Sequence, residues 1–306
     1  MERKYAHVIA LGIDGAGSFI RDAHTPNFDR IFASGAVTYD ALASNPTISA
    51  ECWGSMLLGV GPEIHRLTNE IVSKMPYPVD SSWPSLFRRI REKYPEAELG
   101  SFCDWSPITR GIVENNQGVA NATAERDDIL APVICDYIRE KKPDFLFIQF
   151  DSVDGAGHRN GYGTPGHLER ISQVDQLVQS VYAAAEEAGI LEDTLFMVIA
   201  DHGGTNPGTG KGSHGGWTDG EKYVTFGACG KTVRKGTPEQ MNIRDLAAIV
   251  LYALGIEAPA FSETGWTSQI PRALFEDPEI PAYRDISHLT GAEPRISRVQ
   301  HTSELI

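Results

Sequence analysis

Apolar and polar positions alternate along the chain in blocks that predict strands and helices in turn. His7–Ile13 is a near-continuous apolar run, the pattern of a strand buried on both faces as in a parallel sheet. Two more such runs follow, 144–150 and 194–200. Between them the spacing predicts helices over 26–33, 49–58, 83–93, 125–142, 167–188 and 242–254. Thr25 before Pro26 is suited to start the first of these, and Gly255 to stop the last. Shorter strands are predicted at 37–42, 97–102 and 223–228. Gly-rich loops are predicted at 151–166 and from 203 to 216. This alternation indicates an α/β fold with a mostly parallel central sheet and helices on both faces. The chain reads as a single domain over 1–306, with a weakly periodic segment around 63–118 as an insertion or cap and a polar tail beyond Pro271.

Each of the three buried strands runs into acidic residues. The first ends at Asp14-Gly15, the second leads to Asp154, and the third ends at Asp201-His202-Gly203. Ligands of open α/β sheets sit beyond the carboxyl ends of strands, so these carboxylates are expected to converge. Histidines accompany them: Asp154-Gly-Ala-Gly-His158, the adjacent pair Asp201-His202, and Ser213-His214-Gly-Gly. Carboxylate and imidazole together suit Zn²⁺, Mn²⁺ or Fe²⁺, and three of each suffice for two ions with positions left open.

The order Asp14-Gly, Asp154-x-x-x-His158, Asp201-His202-Gly and His214-Gly resembles the alkaline phosphatase superfamily, and within it the type I phosphodiesterase/nucleotide pyrophosphatase family. The resemblance implies one metal held by Asp154, His158 and His214. It implies a second held by Asp14, Asp201, His202 and the nucleophile's oxygen, with zinc the expected ion. In that family a Pro-Thr-x-Thr/Ser stretch precedes a Gly and then an Asn. Here Pro46-Thr47-Ile48-Ser49 precedes Gly59 and Asn69. The resemblance therefore implies Ser49 as nucleophile, with Thr47 as fallback, and Asn69 as a ligand for a phosphoryl oxygen. It implies cleavage of phosphodiester or pyrophosphate bonds through a phosphoseryl intermediate. Two features depart from family patterns. Ala50-Glu51-Cys52 follows Ser49 where the phosphodiesterases mostly carry Phe-Pro-Asn after Thr, and the x-Pro-x-Arg that sulfatases need after their modified residue is missing.

Other residues read as supporting ones. Asp151 is a turn residue or a partner for a ligating histidine, and Arg159 and Lys211 are loop cations beside ligands. His65 and His167 read as structural or surface histidines, and Trp53, Trp105 and Trp217 as core more than stacking platforms. Lys and Arg total 27 against 41 Asp and Glu, a net charge of −14, which disfavours a nucleic-acid polymer or an anionic membrane as partner but not a small phosphate ester held through cations. The four cysteines form no C-x-x-C pair and read as reduced thiols. The apolar stretch after Glu2-Arg3-Lys4 is short for a signal-peptide core, and no segment reaches the ~20 apolar residues of a membrane span, which points to a cytoplasmic enzyme. Competing readings are a phosphomonoesterase or phosphonate hydrolase, a phosphomutase or phosphoryl transferase, and a non-catalytic metal-binding protein.

Overall fold

The computed structural model describes residues 2–208, 210–239, 241–260, 265–277 and 280. From 281 on, the polar tail lies outside the described residues. The strands are β1 (His7–Ile13), β2 (Ala36–Leu42), β3 (Leu99–Cys103), β4 (Ala120–Ala122), β5 (Phe145–Phe150), β6 (Thr194–Ala200) and β7 (Tyr223–Cys229). The helices before β3 are α1 (Pro26–Phe32), α2 (Ser49–Leu58), α3 (Pro62–His65), α4 (Asn69–Lys74) and α5 (Leu86–Lys93). After it come α6 (Pro107–Gly111), α7 (Asp127–Lys141), α8 (Ser152–Asn160), α9 (Pro165–Glu187), α10 (Asp219–Lys222) and α11 (Asp245–Ala253).

One seven-stranded sheet runs β2-β7-β6-β1-β5-β3-β4. β7 is antiparallel to both its neighbours, and the remaining pairs are parallel. The three long apolar runs lie side by side at the centre, β1 between β5 and β6, and every residue of β5 and β6 is buried. Helices cover both faces. Gly12 and Phe147 face α2, where the buried Trp53 ring meets Phe147 edge-on at 5.7 Å. The opposite face carries Phe196, which contacts Phe32 of α1 and Tyr182 of α9. The segment 63–118, read as an insertion or cap, contributes β3, which pairs with β5 inside the sheet.

The predicted loop over 151–166 is corrected by the structure: residues 152–160 form α8, and α9 starts at Pro165. Two glycines in Asp154-Gly-Ala-Gly-His158 depress helix propensity. Tertiary contacts override this, because the Asp127 carboxylate accepts the N–H groups of Asp151 (2.9 Å) and Ser152 (3.3 Å) at the start of the helix.

α2 is buried along its whole length. His65 braces it from α3. Its Nε2 lies 3.2 Å from the Glu51 carbonyl and 3.3 Å from Ser55 Oγ, while Nδ1 accepts the Leu67 N–H at 3.0 Å. Burial pushes the His65 pKa down to about 4. The four cysteines are free, three of them buried.

Two outcomes follow from this packing. A Cβ on Gly12 would come within 2.4 Å of the Trp53 ring, so Gly12→Ala is expected to cost about 1–3 kcal/mol in urea unfolding. The neutral, buried His65 must take up a proton on unfolding in acid. Its contribution is therefore complete above pH 6.5 and lost as pH falls towards about 4, amounting to about 3 kcal/mol at most. The difference in stability between wild type and His65→Gln, followed by urea unfolding from pH 8 to pH 4, is expected to shrink over that window.

Candidate metal centre

Strand register sets the heights of the site residues. Ile13 pairs with Phe150 on one side and Ala200 on the other, so Asp14, Asp151 and Asp201 leave the sheet at one level. Asp14 and Asp201 are fully buried. Asp14 Oδ2 accepts Trp53 Nε1 and Gln149 Nε2, each at 3.0 Å. Asp201 Oδ1 accepts the N–H groups of Gly15 (3.0 Å) and His202 (2.8 Å). The other oxygens, Asp14 Oδ1 and Asp201 Oδ2, are buried without a hydrogen-bond partner. Both face His202 Nε2, at 3.5 and 3.3 Å.

The turn that follows β1 needs glycine. Gly15 has φ +68°, and a Cβ there would strike Asp154 at 2.6 Å. His167 secures this turn. Buried and held neutral by that burial, it accepts the Gly163 N–H at Nδ1 (3.2 Å), which leaves Nε2–H to donate to the Gly15 carbonyl at 3.2 Å.

Asp154 and His158 stand one turn apart on α8, with His158 Nε2 3.2 Å from Asp154 Oδ2. His214 arrives from the loop after β6. Its Nε2 is 3.8 Å from Asp154 Oδ1 and 3.2 Å from His158 Nε2, and its ring stacks on His202 at 3.9 Å. Each of the three imidazoles has Nδ1 against a backbone carbonyl: Gly212 for His158 (3.1 Å), Gly203 for His202 (2.9 Å) and Thr47 for His214 (2.7 Å). A carbonyl only accepts, so Nδ1 carries a proton in each. On His202 and His214, which burial keeps neutral, the Nε2 lone pairs point inward, while His158 Nε2 pairs with the Asp154 carboxylate.

Around Asp14, Asp201, His202 and His214 the centre is thus lined by acceptors facing acceptors. Burial, followed by the charges of Asp201, Asp154 and Asp151, pushes Asp14 well above the ordinary carboxylate range. Burial, then the Asp154 charge, does the same to Asp201. Burial would also raise Asp154, but its hydrogen bond with His158 and the charges of His202 and His214 hold it low. That bond lifts His158 to about 8, while burial and the neighbouring His202 push His214 down to about 4. Ligand atoms of Asp14, Asp201 and His202 lie within 4.8 Å of one another, as do those of Asp154, His202 and His214. Two orphaned carboxylate oxygens and converging Nε2 lone pairs fit divalent cations, which would satisfy all of these acceptors at once.

Ser49 is the first residue of α2, and its Oγ lies 3.3 Å from His202 Nε2. The cap residue is Ile48, so the Ser49 hydroxyl is not spent on capping. Thr47 is spent: its hydroxyl donates to the Gly216 carbonyl and accepts the Gly215 N–H, each at 2.9 Å. Asn69, at the start of α4, accepts the Ala50 N–H at 2.9 Å through Oδ1, which sets its side chain beside Ser49. Asp151 lies outside the acceptor cluster, taking Gln149 Nε2 at 3.1 Å, with burial raising its pKa to about 6. Arg159 and Lys211 are exposed, Trp53 is core, and Trp105 and Trp217 are half-buried.

Three contributors escaped the sequence reading. Gln149 and Trp53 fix Asp14. Tyr162, 3% exposed, donates its hydroxyl to Asp154 Oδ1. Gln149 had a signal, as a lone polar residue inside Phe-Leu-Phe-Ile-Gln-Phe, and so did Tyr162, a large aromatic between two glycines.

The family model of type I phosphodiesterase/nucleotide pyrophosphatase matches residues 71–213, just under half of the chain. The match takes in Asp154, His158, Asp201 and His202 and leaves Asp14, Ser49, Asn69 and His214 outside. Murine ectonucleotide pyrophosphatase/phosphodiesterase 5 superposes with a TM-score of 0.68 at 16% identity, over 83% of this chain and 96% of that one. A 2-O GAG sulfatase gives 0.64 at 13% identity, over 88% of this chain and 76% of the other. The chain is thus similar to the type I phosphodiesterase/nucleotide pyrophosphatase family over 71–213, and it shares the fold of these structures.

Among curated relatives, GPI ethanolamine phosphate transferase 2 of Aspergillus fumigatus is 22% identical over 257 residues, covering 81% of this chain and 33% of its own. GPI ethanolamine phosphate transferase 3, catalytic subunit, of Mus musculus is 30% identical over 172 residues, covering 52% and 14%. The chain therefore spans a third or less of the length of these relatives. Among the described residues, no helix is long and apolar enough to cross a membrane.

The buried acceptors predict a specific response to substitution. Asp201→Asn removes one charge from the cluster, so the metal-free variant is expected to melt above metal-free wild type. Added Zn²⁺ is expected to raise the wild-type melting temperature, by about 2.7 kcal/mol of stability at a hundred-fold excess over Kd, and that of the variant much less. Calorimetry with chelator and then with Zn²⁺ measures both.

Proposed function

We propose that the chain catalyses metal-dependent cleavage of a phosphodiester or pyrophosphate bond with Ser49 as nucleophile. The observation that carries this reading is the Ser49 hydroxyl, free of capping duty and 3.3 Å from His202 Nε2, beside the orphaned oxygens of Asp14 and Asp201. Asp154, His158 and His214 would hold one ion, and Asp14, Asp201, His202 and Ser49 the other. Such ions, of which zinc best suits the donor set, supply positive charge that lowers the pKa of a bound hydroxyl and offsets that of phosphoryl oxygens.

The residues of the chain then do the following. Ser49 Oγ attacks phosphorus, its proton passing to solvent, as the bond to the leaving oxygen breaks. A phosphoseryl group forms and an alcohol or phosphate departs. Asn69, its Oδ1 held by Ala50, offers its amide N–H groups to a phosphoryl oxygen. The start of α2 adds the partial positive charge of a helix N-terminus at Ser49. Water then attacks phosphorus and releases Ser49.

The relatives named as ethanolamine phosphate transferases favour a second reading, in which an acceptor hydroxyl takes the place of water in that last step. The first half of the reaction is the same in both.

The test is hydrolysis of bis-p-nitrophenyl phosphate against p-nitrophenyl phosphate on metal-stripped protein with Zn²⁺ or Mn²⁺ restored. The diester is expected to be preferred, and Ser49→Ala to lower kcat/KM by more than about 10³. A monoester preference sinks the diesterase assignment, and wild-type turnover in Ser49→Ala removes the nucleophile. Release of p-nitrophenol that accelerates with added small alcohols, with the alkyl phosphate as product, supports the transferase reading.

A further inference from the structure

The ring of Tyr162 occupies a slot kept open by three glycines from three segments. A Cβ on Gly157 of α8 would come within 2.3 Å of it, one on Gly204 after β6 within 2.3 Å, and one on Gly212 near His214 within 2.5 Å. Asn206 grips the backbone of the same residue from both sides. Its Oδ1 accepts the Tyr162 N–H at 2.8 Å, and its Nδ2 donates to the Tyr162 carbonyl at 2.8 Å. The ring meets His158, His167 and His214 edge-on, at 5.9, 5.2 and 6.4 Å between centroids. Its hydroxyl ends on Asp154 Oδ1.

The loop that delivers His214 is therefore docked against the same side chain that orients Asp154. The opposite group has other supports. Asp14 is fixed by Trp53 and Gln149, and Asp201 by the N–H groups of Gly15 and His202. Only His202 contributes to both groups of ligand atoms.

We propose that Tyr162 is a positioning residue for one ion of the pair: it assembles Asp154 and His214 as a unit, while Asp14 and Asp201 are assembled without it. The inference rests on reading the two groups as ion sites. It deepens that reading by assigning the two ions separate supports, and hence separate affinities. Partners of a ligating carboxylate typically contribute about 10–100-fold in metal affinity, which sets the size of the effect.

The experiment is a Zn²⁺ titration of the full chain against a chromogenic chelator, with wild type, Tyr162→Phe, Asn206→Ala and Gln149→Leu. Wild type is expected to take up two ions. Tyr162→Phe keeps the ring in its slot and removes only the donor. It is expected to hold one ion with wild-type affinity and the other at least about ten-fold more weakly. Asn206→Ala loosens the loop and is expected to weaken that same ion, so adding little when combined with Tyr162→Phe. Gln149→Leu is expected to weaken the other ion, with effects that multiply with those of Tyr162→Phe. A structural role alone would lower the melting temperature of the metal-free variant and leave both affinities unchanged. Two ions bound by Tyr162→Phe as tightly as by wild type, or both weakened equally, overturns the inference and leaves the metal centre standing. Uptake of no ion by wild type overturns both.

Discussion

Placing three carboxylates at one end of a sheet, Asp14 and Asp201 buried and Asp154 partly so, with no lysine or arginine paired to them among the described residues, is the constraint on which this molecule turns. Two have an oxygen that no protein donor reaches, and the imidazoles between them present lone pairs, not protons. An arrangement of this kind costs several kcal/mol per uncompensated charge unless a cation enters. The surrounding structure reads as the means of holding it together: donors occupy the outer oxygen of each carboxylate, and backbone carbonyls occupy the outer nitrogen of each imidazole. What remains unsatisfied all faces inward.

The sheet supplies the geometry for this at little expense. Because β1 is in register with both neighbours, Asp14 and Asp201 leave adjacent strands at one height, and α8 brings Asp154 to them. Gly12 adds to this by leaving room for the Trp53 ring above β1, which lets the indole N–H reach Asp14 two residues further on. The same helix that carries Trp53 begins with Ser49, so one rigid element places both the proposed nucleophile and a support for Asp14. Glu221 steadies the far side, accepting the N–H groups of Gly216 (2.8 Å) and Thr218 (2.9 Å) where the His214 loop turns back to the sheet.

Much of this was legible before any coordinates. Long apolar runs, each leading to an acid, announce a parallel sheet with a site at its carboxyl edge, because burial on both faces and a polar end leave little else for such segments to be. The acidic candidates for metal ligation stand out for the same reason. What stayed hidden depends on contacts distant in sequence. The glycines around Asp154 suggest a loop, and the Asp127 carboxylate that accepts the N–H groups at the start of α8 lies more than twenty residues away in sequence. Gly157, Gly204 and Gly212 look like flexibility when read singly, although their common purpose is to make way for Tyr162. Thr47 and Ser49 share a motif and a hydroxyl, and nothing local tells them apart. The distinction comes from Gly215 and Gly216, which occupy the threonine.

The position of β1 between β5 and β6 bears on how the chain is made. β1 finds its partners at 145–150 and 194–200, so it stays unpaired until well over a hundred further residues have left the ribosome. At about 5–20 residues per second that is a wait of many seconds for an apolar segment with open edges, the kind of species that chaperones shield. No fragment ending before the third strand can assemble the centre, and His214 comes later still. If the ions bind as proposed, their capture is a closing event of folding, and scarcity of the ion would be felt by a chain already collapsed around its unpaired carboxylates.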